Sequence, residues 1–178
     1  MQKYIIGCII WKDNSKFLFK LGGNGMWLYD KMLETYQLNK ALGIYGREYR
    51  ENRKSIRSFL YYYKDKKHYN IAVWGAGLKG KAFLKIIDPD QRFIKYVYDI
   101  DKRMFGKSLP TGHKIVDFKM KYNQDIKVVL LMNNNFETVT ANLLAEQNMK
   151  VILINVDSVI AGSLDANSVL QLYGKDIK

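Results

Sequence analysis

A chain of 178 residues, 48% of them hydrophobic, is long enough for one domain with an appendage and too apolar to be disordered by composition. Its 29 basic and 17 acidic residues leave a net charge of +12, which suits an anionic partner: a phosphorylated metabolite, a nucleic acid, an acidic protein or an anionic membrane surface. The single cysteine, Cys8, excludes an intrachain disulfide and a cysteine-based zinc site.

The charge is uneven. Residues 1–69 carry 14 basic and 6 acidic side chains, a net of +8, and residues 70–178 carry 15 and 11, a net of +4. A lysine-rich background composition accounts for the same excess without any partner. Tyr4 to Trp11 is β-branched and aromatic, Lys12 to Lys16 is a polar turn, and Phe17-Leu18-Phe19 is apolar again, so the start of the chain reads as a β-hairpin. The first run is too short to cross a bilayer and no small-residue cleavage site follows it; the expectation is a cytoplasmic protein without a membrane anchor.

From Met26 to Leu42, Tyr29, Met32, Leu33 and Tyr36 recur at helical spacing. Gly43 and Gly46 are expected to interrupt that helix. A second helix is predicted from Arg47 to Lys64, with Tyr49, Ile56, Phe59, Leu60 and Tyr63 on one face and Arg50, Arg53, Lys54 and Arg57 on the other. The expected organisation is an appendage of hairpin and helix over residues 1–46 and one domain over 47–178.

The remainder alternates strand and helix. Strands are predicted at Asn70–Trp74, Phe93–Tyr98, His113–Val116, Ile126–Met132 and Lys150–Ile154, and helices at Lys79–Ile87, before Pro89, and Phe136–Gln147. Asn134 followed by Glu137 fits a variant capping box. The last twenty residues are expected to be partly helical. Near-continuous Val/Ile/Leu strands separated by helices imply an α/β fold: a Rossmann-like parallel sheet covered on both faces.

Gly75-Ala76-Gly77-Leu78-Lys79-Gly80 follows a predicted strand and opens a helix. In that context Gly75 permits a tight turn, Gly77 lets the backbone approach a phosphate, and Gly80 lets the helix pack close to the strand. Free amides at the helix start favour an anion, with Leu78 and Lys79 in the first turn and Lys81 adding charge. Asp99 ends the next strand, where a carboxylate accepts from ribose hydroxyls. Ligands in such sheets sit beyond the strands' carboxyl ends, so Asn133 to Asn135, after the fourth strand, are expected in the same crevice. The alternative for them is turn and capping chemistry. His113, in a loop expected on that side, is a candidate phosphate donor or acid–base. His68 is assigned no role, and nothing resembles a metal cluster.

These segments, in this order, resemble the C-terminal domain of sugar C-methyltransferases, S-adenosylmethionine enzymes that methylate a nucleotide-linked deoxysugar. The resemblance runs from Val73–Gly80 through Tyr96–Asp101, Lys107, Thr111-Gly112-His113 with Ile115-Val116, to Val129–Phe136, where family members often carry Asn-Pro-Asn-Tyr. With the preceding helix it covers about residues 47–157. It implies that this domain helps bind the nucleotide diphosphate of the sugar, with Gly75, Gly77, Gly80, Asp99, His113, Asn133 and Asn135 as candidates. The zinc module with paired cysteines and the methyltransferase domain with its Tyr-Glu-His segment have no counterpart in this sequence. The resemblance therefore implies ligand binding, not stand-alone methyl transfer.

Three functions stay open on the sequence. The first is a nucleotide-sugar-binding, accessory component of deoxysugar or polysaccharide biosynthesis, acting with a separate methyltransferase subunit. The second is an NAD(P)-dependent oxidoreductase or redox-sensing module, with NAD permitted by Asp99, although no hydride-transfer constellation is evident. The third is nucleic-acid binding through Arg47–Arg57 and Tyr61-Tyr62-Tyr63. Residues 1–46 could dock on the same domain, on a second copy in a homodimer, or on the partner enzyme.

Overall fold

The computed structural model describes residues 24–120 and 125–162, with side chains from residue 29 onward. The expected hairpin, and the C-terminal stretch beyond residue 162, lie outside the described residues. Helix α1 spans Asn24–Glu51 and α2 spans Arg53–Tyr61, followed by a π-helical turn at Tyr62–Lys66. The sheet strands are β1 (Asn70–Trp74), β2 (Ile94–Tyr98), β3 (Ile115–Val116), β4 (Ile126–Leu131) and β5 (Ile152–Asn155). Between and after them come α3 (Leu78–Ile87), α4 (Glu137–Glu146) and α5 (Val156–Ile160).

The expected break at Gly43 and Gly46 is not there: α1 runs through both. A glycine inside a helix costs only about 1 kcal/mol, and docking outweighs it. Ala41 and Tyr49 are fully buried, and the Tyr49 ring meets Phe83 of α3 edge-on at 5.4 Å. The break falls instead at Asn52, whose backbone leaves the helical region (φ −96°, ψ 8°) while its side-chain amide donates to the Glu48 carbonyl at 2.9 Å. Beyond it, α2 buries Ile56, Phe59 and Leu60.

All five strands are parallel, in the order β3-β2-β1-β4-β5. The chain starts in the middle, builds outward one way through β2 and β3, then returns to the other side of β1 for β4. This is a Rossmann-like arrangement, and it puts a topological switch point between β1 and β4. Within β1 the side chains alternate between two cores. Ile71 and Val73 pack with α1, α2, α3 and α5, whereas Ala72 and Trp74 pack with Phe118, Val129, Leu131 and Leu144 of α4 on the opposite face. Both faces of the sheet are covered, which is why the strands read as unbroken apolar runs. No helix among the described residues is long and apolar enough to cross a membrane.

Candidate functional site

The chain leaves β1 at its carboxyl end and turns sharply at Gly75, which adopts φ +116° and whose N–H donates to the Tyr98 carbonyl at 2.8 Å. A Cβ on Gly75 would meet that of Met132 at 3.3 Å. Gly80 is held more tightly: a Cβ there would stand 2.0 Å from the Gly75 carbonyl oxygen. Both glycines are therefore demanded by the way α3 seats against β1. Gly77 is different. Its φ of −69° and ψ of −167° suit any residue, and no heavy atom lies within 4 Å of where its Cβ would be. The fold does not require a glycine at this position; a group approaching from the cleft would.

Gly77 is the N-cap of α3 and makes no side-chain cap. The amides of Leu78, Lys79 and Gly80 in the first turn have no carbonyl inside the helix to bond, and they converge with the positive end of the α3 dipole on this point. In front of them lies a cleft of about 580 Å³ between the ends of β1 and β4, a volume ordinary for a small-molecule site. Tyr45 of α1 forms one wall. Ile100, Phe136, Val139 and Leu143 form an apolar wall, and Asn133, Thr140 and Asp99 bring polar groups to it. Ile100, Phe136 and Val139 are about half exposed or more (62%, 48% and 53%).

The expected site residues divide into two groups. Gly75, Gly77, Leu78, Lys79, Gly80, Asp99 and Asn133 all border the cleft. Asp99 does so with both oxygens engaged: Oδ2 accepts from the Ala76 amide at 2.8 Å and Oδ1 from the Asp101 amide at 2.9 Å. It clamps the glycine loop to the end of β2. The Lys79 ammonium pairs with Asp157, at the start of α5, rather than facing the cleft. The Lys81 ammonium is turned away onto Gln37 of α1. Burial holds its pKa below the ordinary lysine value, and the charge of Glu34 acts in the opposite sense.

Two candidates are corrected. His113 is not on the cleft side of the sheet. It is buried at the opposite end, with Nε2 3.2 Å from Oδ2 of Asp88 and Nδ1 2.8 Å from Oγ1 of Thr111. Asp88, itself 1% exposed, also accepts from the amides of Arg92, Phe93 and Ile94. The pair ties the end of α3 to the start of β2, a structural task. Asn135 does not line the cleft; its amide donates to Oδ1 of Asn133 at 3.1 Å. The cap expected on Asn134 falls one residue earlier, on Asn133, which opens a 3-10 turn at Asn134–Phe136 before α4. The apolar wall from α4 and Ile100 was missed by sequence reasoning. Phe136 and Val139 lie three apart, the one signal that pointed to a shared helix face.

A switch-point cleft faced by free helix-start amides defines the class: a Rossmann-like α/β domain able to accept an anionic group. The chain belongs to the C-methyltransferase C-terminal domain family, whose model matches residues 33–153. No curated protein matches the chain. Among solved structures it is similar to a Rex-family repressor, RSP, at 21% identity and a TM-score of 0.36, over 58% of this chain and 62% of that one. It is likewise similar to RSP in complex with β-NADH, at 22% identity and a TM-score of 0.35, over 60% of this chain and 63% of that one. The match thus spans less than two thirds of those proteins' length.

Proposed function

We propose that the cleft binds a nucleotide-linked sugar, with the diphosphate on the α3 amino terminus, and that the chain serves as a substrate-binding component beside a separate methyltransferase subunit. The observation that carries this reading is the open space at Gly77, set among three first-turn amides. An anion there meets hydrogen-bond donors and a favourable dipole at once. The apolar wall of Ile100, Phe136 and Val139 offers a surface for the base, and the exposed side chain of Asn133 offers groups for hydroxyls. Asp99 contributes by fixing the loop rather than by a free carboxylate.

In this reading the N-terminal appendage, residues 1–46, and the Rossmann-like unit, 47–178, share α1, which crosses that boundary and lends Tyr45 to the cleft. Deoxysugar or polysaccharide biosynthesis in the cytoplasm is the setting it implies, with a homodimer as one assembly. A second reading, NAD binding, is favoured by the presence of Asp99 at the end of β2, where a carboxylate disfavours a 2′-phosphate.

One experiment separates the two: thermal unfolding of the chain with nucleotide diphosphate sugars, NAD, NADP and S-adenosylmethionine. A ligand at 100 times its dissociation constant stabilises by about 2.7 kcal/mol, which raises the midpoint by roughly 5–10 °C in a chain of this size. The expected response is to a nucleotide diphosphate sugar and none to S-adenosylmethionine. A response to NAD alone transfers the site to the second reading, and no response to any nucleotide refutes both.

A further inference from the structure

A shallow, widely open groove lies between α2 and the turn from α3 into β2. Phe93 in its wall directly precedes β2, so it opens at the amino ends of the strands, across the sheet from the glycine loop. Arg50, Arg53, Lys54 and Arg57 line it from the helical side and Arg92 from the turn, against one carboxylate, Glu51. Arg53, Lys54 and Arg57 lie within about 6 Å of helix axis on α2, with Arg53 and Arg57 four apart and Lys54 and Arg57 three apart, and Arg50 stands at the end of α1, just before the break at Asn52.

Arg50, Arg53, Lys54 and Arg57 form no ion pair among the described residues. Glu51 is the partner of Arg47, at 3.9 Å, and Arg92 is met by Asp65 at 3.2 Å. Two of the guanidinium groups are braced by rings: Arg57 over Phe93 at 5.4 Å, and Arg92 over Phe93 at 5.2 Å and over Tyr61 at 5.8 Å. Basic groups gathered in excess of the nearby carboxylates raise the local potential, and stacking holds two planar forks in place before any ligand arrives.

We propose that this groove is a second anion site, independent of the glycine loop, that takes a small ligand carrying several linked phosphates. Arginine forks bind phosphate oxygens in pairs, and the charged stretch matches a short run of phosphates rather than a single one. A nucleic-acid strand fits less well. Phe93 is only 3% exposed, and Tyr61, at 43% exposed, carries Arg92 against its ring, so the groove offers at most one ring and not the run of platforms that successive bases need.

The test is calorimetric titration of the full chain with inorganic triphosphate, in the Gly77→Asp variant so that the glycine loop is blocked. Saturable binding of one triphosphate per chain is expected, and Arg53→Gln with Lys54→Gln should weaken it about tenfold or more. The same pair of substitutions in the parent chain should leave the nucleotide-sugar response intact. Should that double variant fail to fold, Arg50→Gln alone is read in the same titration. Equal affinity for triphosphate in Gly77→Asp with and without the further substitutions overturns the proposal. So does displacement of triphosphate by polyglutamate or single-stranded DNA at lower anion concentration than triphosphate itself requires, since the face then docks a polymer.

Discussion

Replacing Gly77 by alanine adds one methyl group at the mouth of the cleft, and replacing Gly80 by alanine adds the same group 2.0 Å from a backbone oxygen. The pair separates what the ligand needs from what the fold needs. At Gly77 the backbone is already extended, so alanine gains about 0.4–1 kcal/mol by restricting the unfolded chain. It loses a comparable amount as a poorer N-cap. The net change in stability should lie within about 0.5 kcal/mol, or roughly 2 °C in the unfolding midpoint. At Gly80 the clash is with Gly75, whose N–H is tied to Tyr98 and whose φ is +116°, so the backbone cannot yield cheaply. Overpacking of this kind costs about 3 kcal/mol or more, a fall of roughly 6–12 °C. Thermal unfolding with and without a nucleotide diphosphate sugar reads both effects. The Gly77→Ala chain should melt like the parent yet show a much reduced ligand shift, and Gly77→Asp, which adds a negative charge beside the phosphates, should show none. A normal ligand shift in Gly77→Asp, or destabilisation of Gly77→Ala to the level of Gly80→Ala, refutes the assignment of Gly77 to the ligand.

Asp88→Ala strips the acceptor from the buried amides of Phe93 and Ile94, from the partly exposed amide of Arg92 and from His113; it should cost about 3 kcal/mol or more in chemical denaturation. The ligand shift of whatever folds should survive, because this cluster lies at the far end of the sheet. Asp99→Ala frees the Ala76 amide, so hydrogen exchange at Ala76 should accelerate and nucleotide-sugar affinity should fall about tenfold. An unchanged exchange rate would remove the clamp from the account. The hydroxyls of Tyr49 and Tyr63 are buried without a hydrogen-bond partner among the described residues, so Tyr63→Phe should be neutral or stabilising by up to about 1 kcal/mol. Burial also pushes the Tyr63 hydroxyl up to about 12 from 10.0, and raises that of Tyr49. A raised folded-state value means a contribution complete below about pH 10 and lost as the pH climbs towards 12. The melting temperature should fall over that window, less steeply in Tyr63→Phe; equal slopes would refute the link.

The elements that carry the cleft were legible because short-range rules fix them. Strand, glycine turn and helix at 70–87 follow from an apolar run, a φ that only glycine takes easily, and Pro89 as a stop. The parallel sheet followed from strands apolar on both sides. What could not be read was where polar side chains spend their hydrogen bonds. Asp99, Lys79, Lys81 and His113 all sat at plausible distances along the chain. Their partners are Ala76, Asp157, Gln37 and Asp88, between 23 and 78 residues away, and no local pattern announces such pairings. The glycines of α1 misled for a related reason, since propensity weighs a residue in isolation and the docked face of Ala41 and Tyr49 outweighs it.

The commitment of Asp99 to the backbone changes what the cleft can do. A free carboxylate at the end of β2 would contribute its own hydrogen bonds to a ligand, at the cost of leaving the glycine turn to order itself on binding. Here that order exists beforehand: Ala76 is held by Asp99, Gly75 by Tyr98, and Met132 donates to the Trp74 carbonyl across the switch point at 3.1 Å. A loop fixed in this way presents its amides without further loss of conformational freedom, and preorganisation of that kind raises affinity by lowering the cost of binding. Selectivity then passes to the exposed side chains around the cleft, the apolar wall of Ile100, Phe136 and Val139. Substitutions on that wall should alter which nucleotide is preferred, while substitutions in the loop should alter how tightly any nucleotide is held.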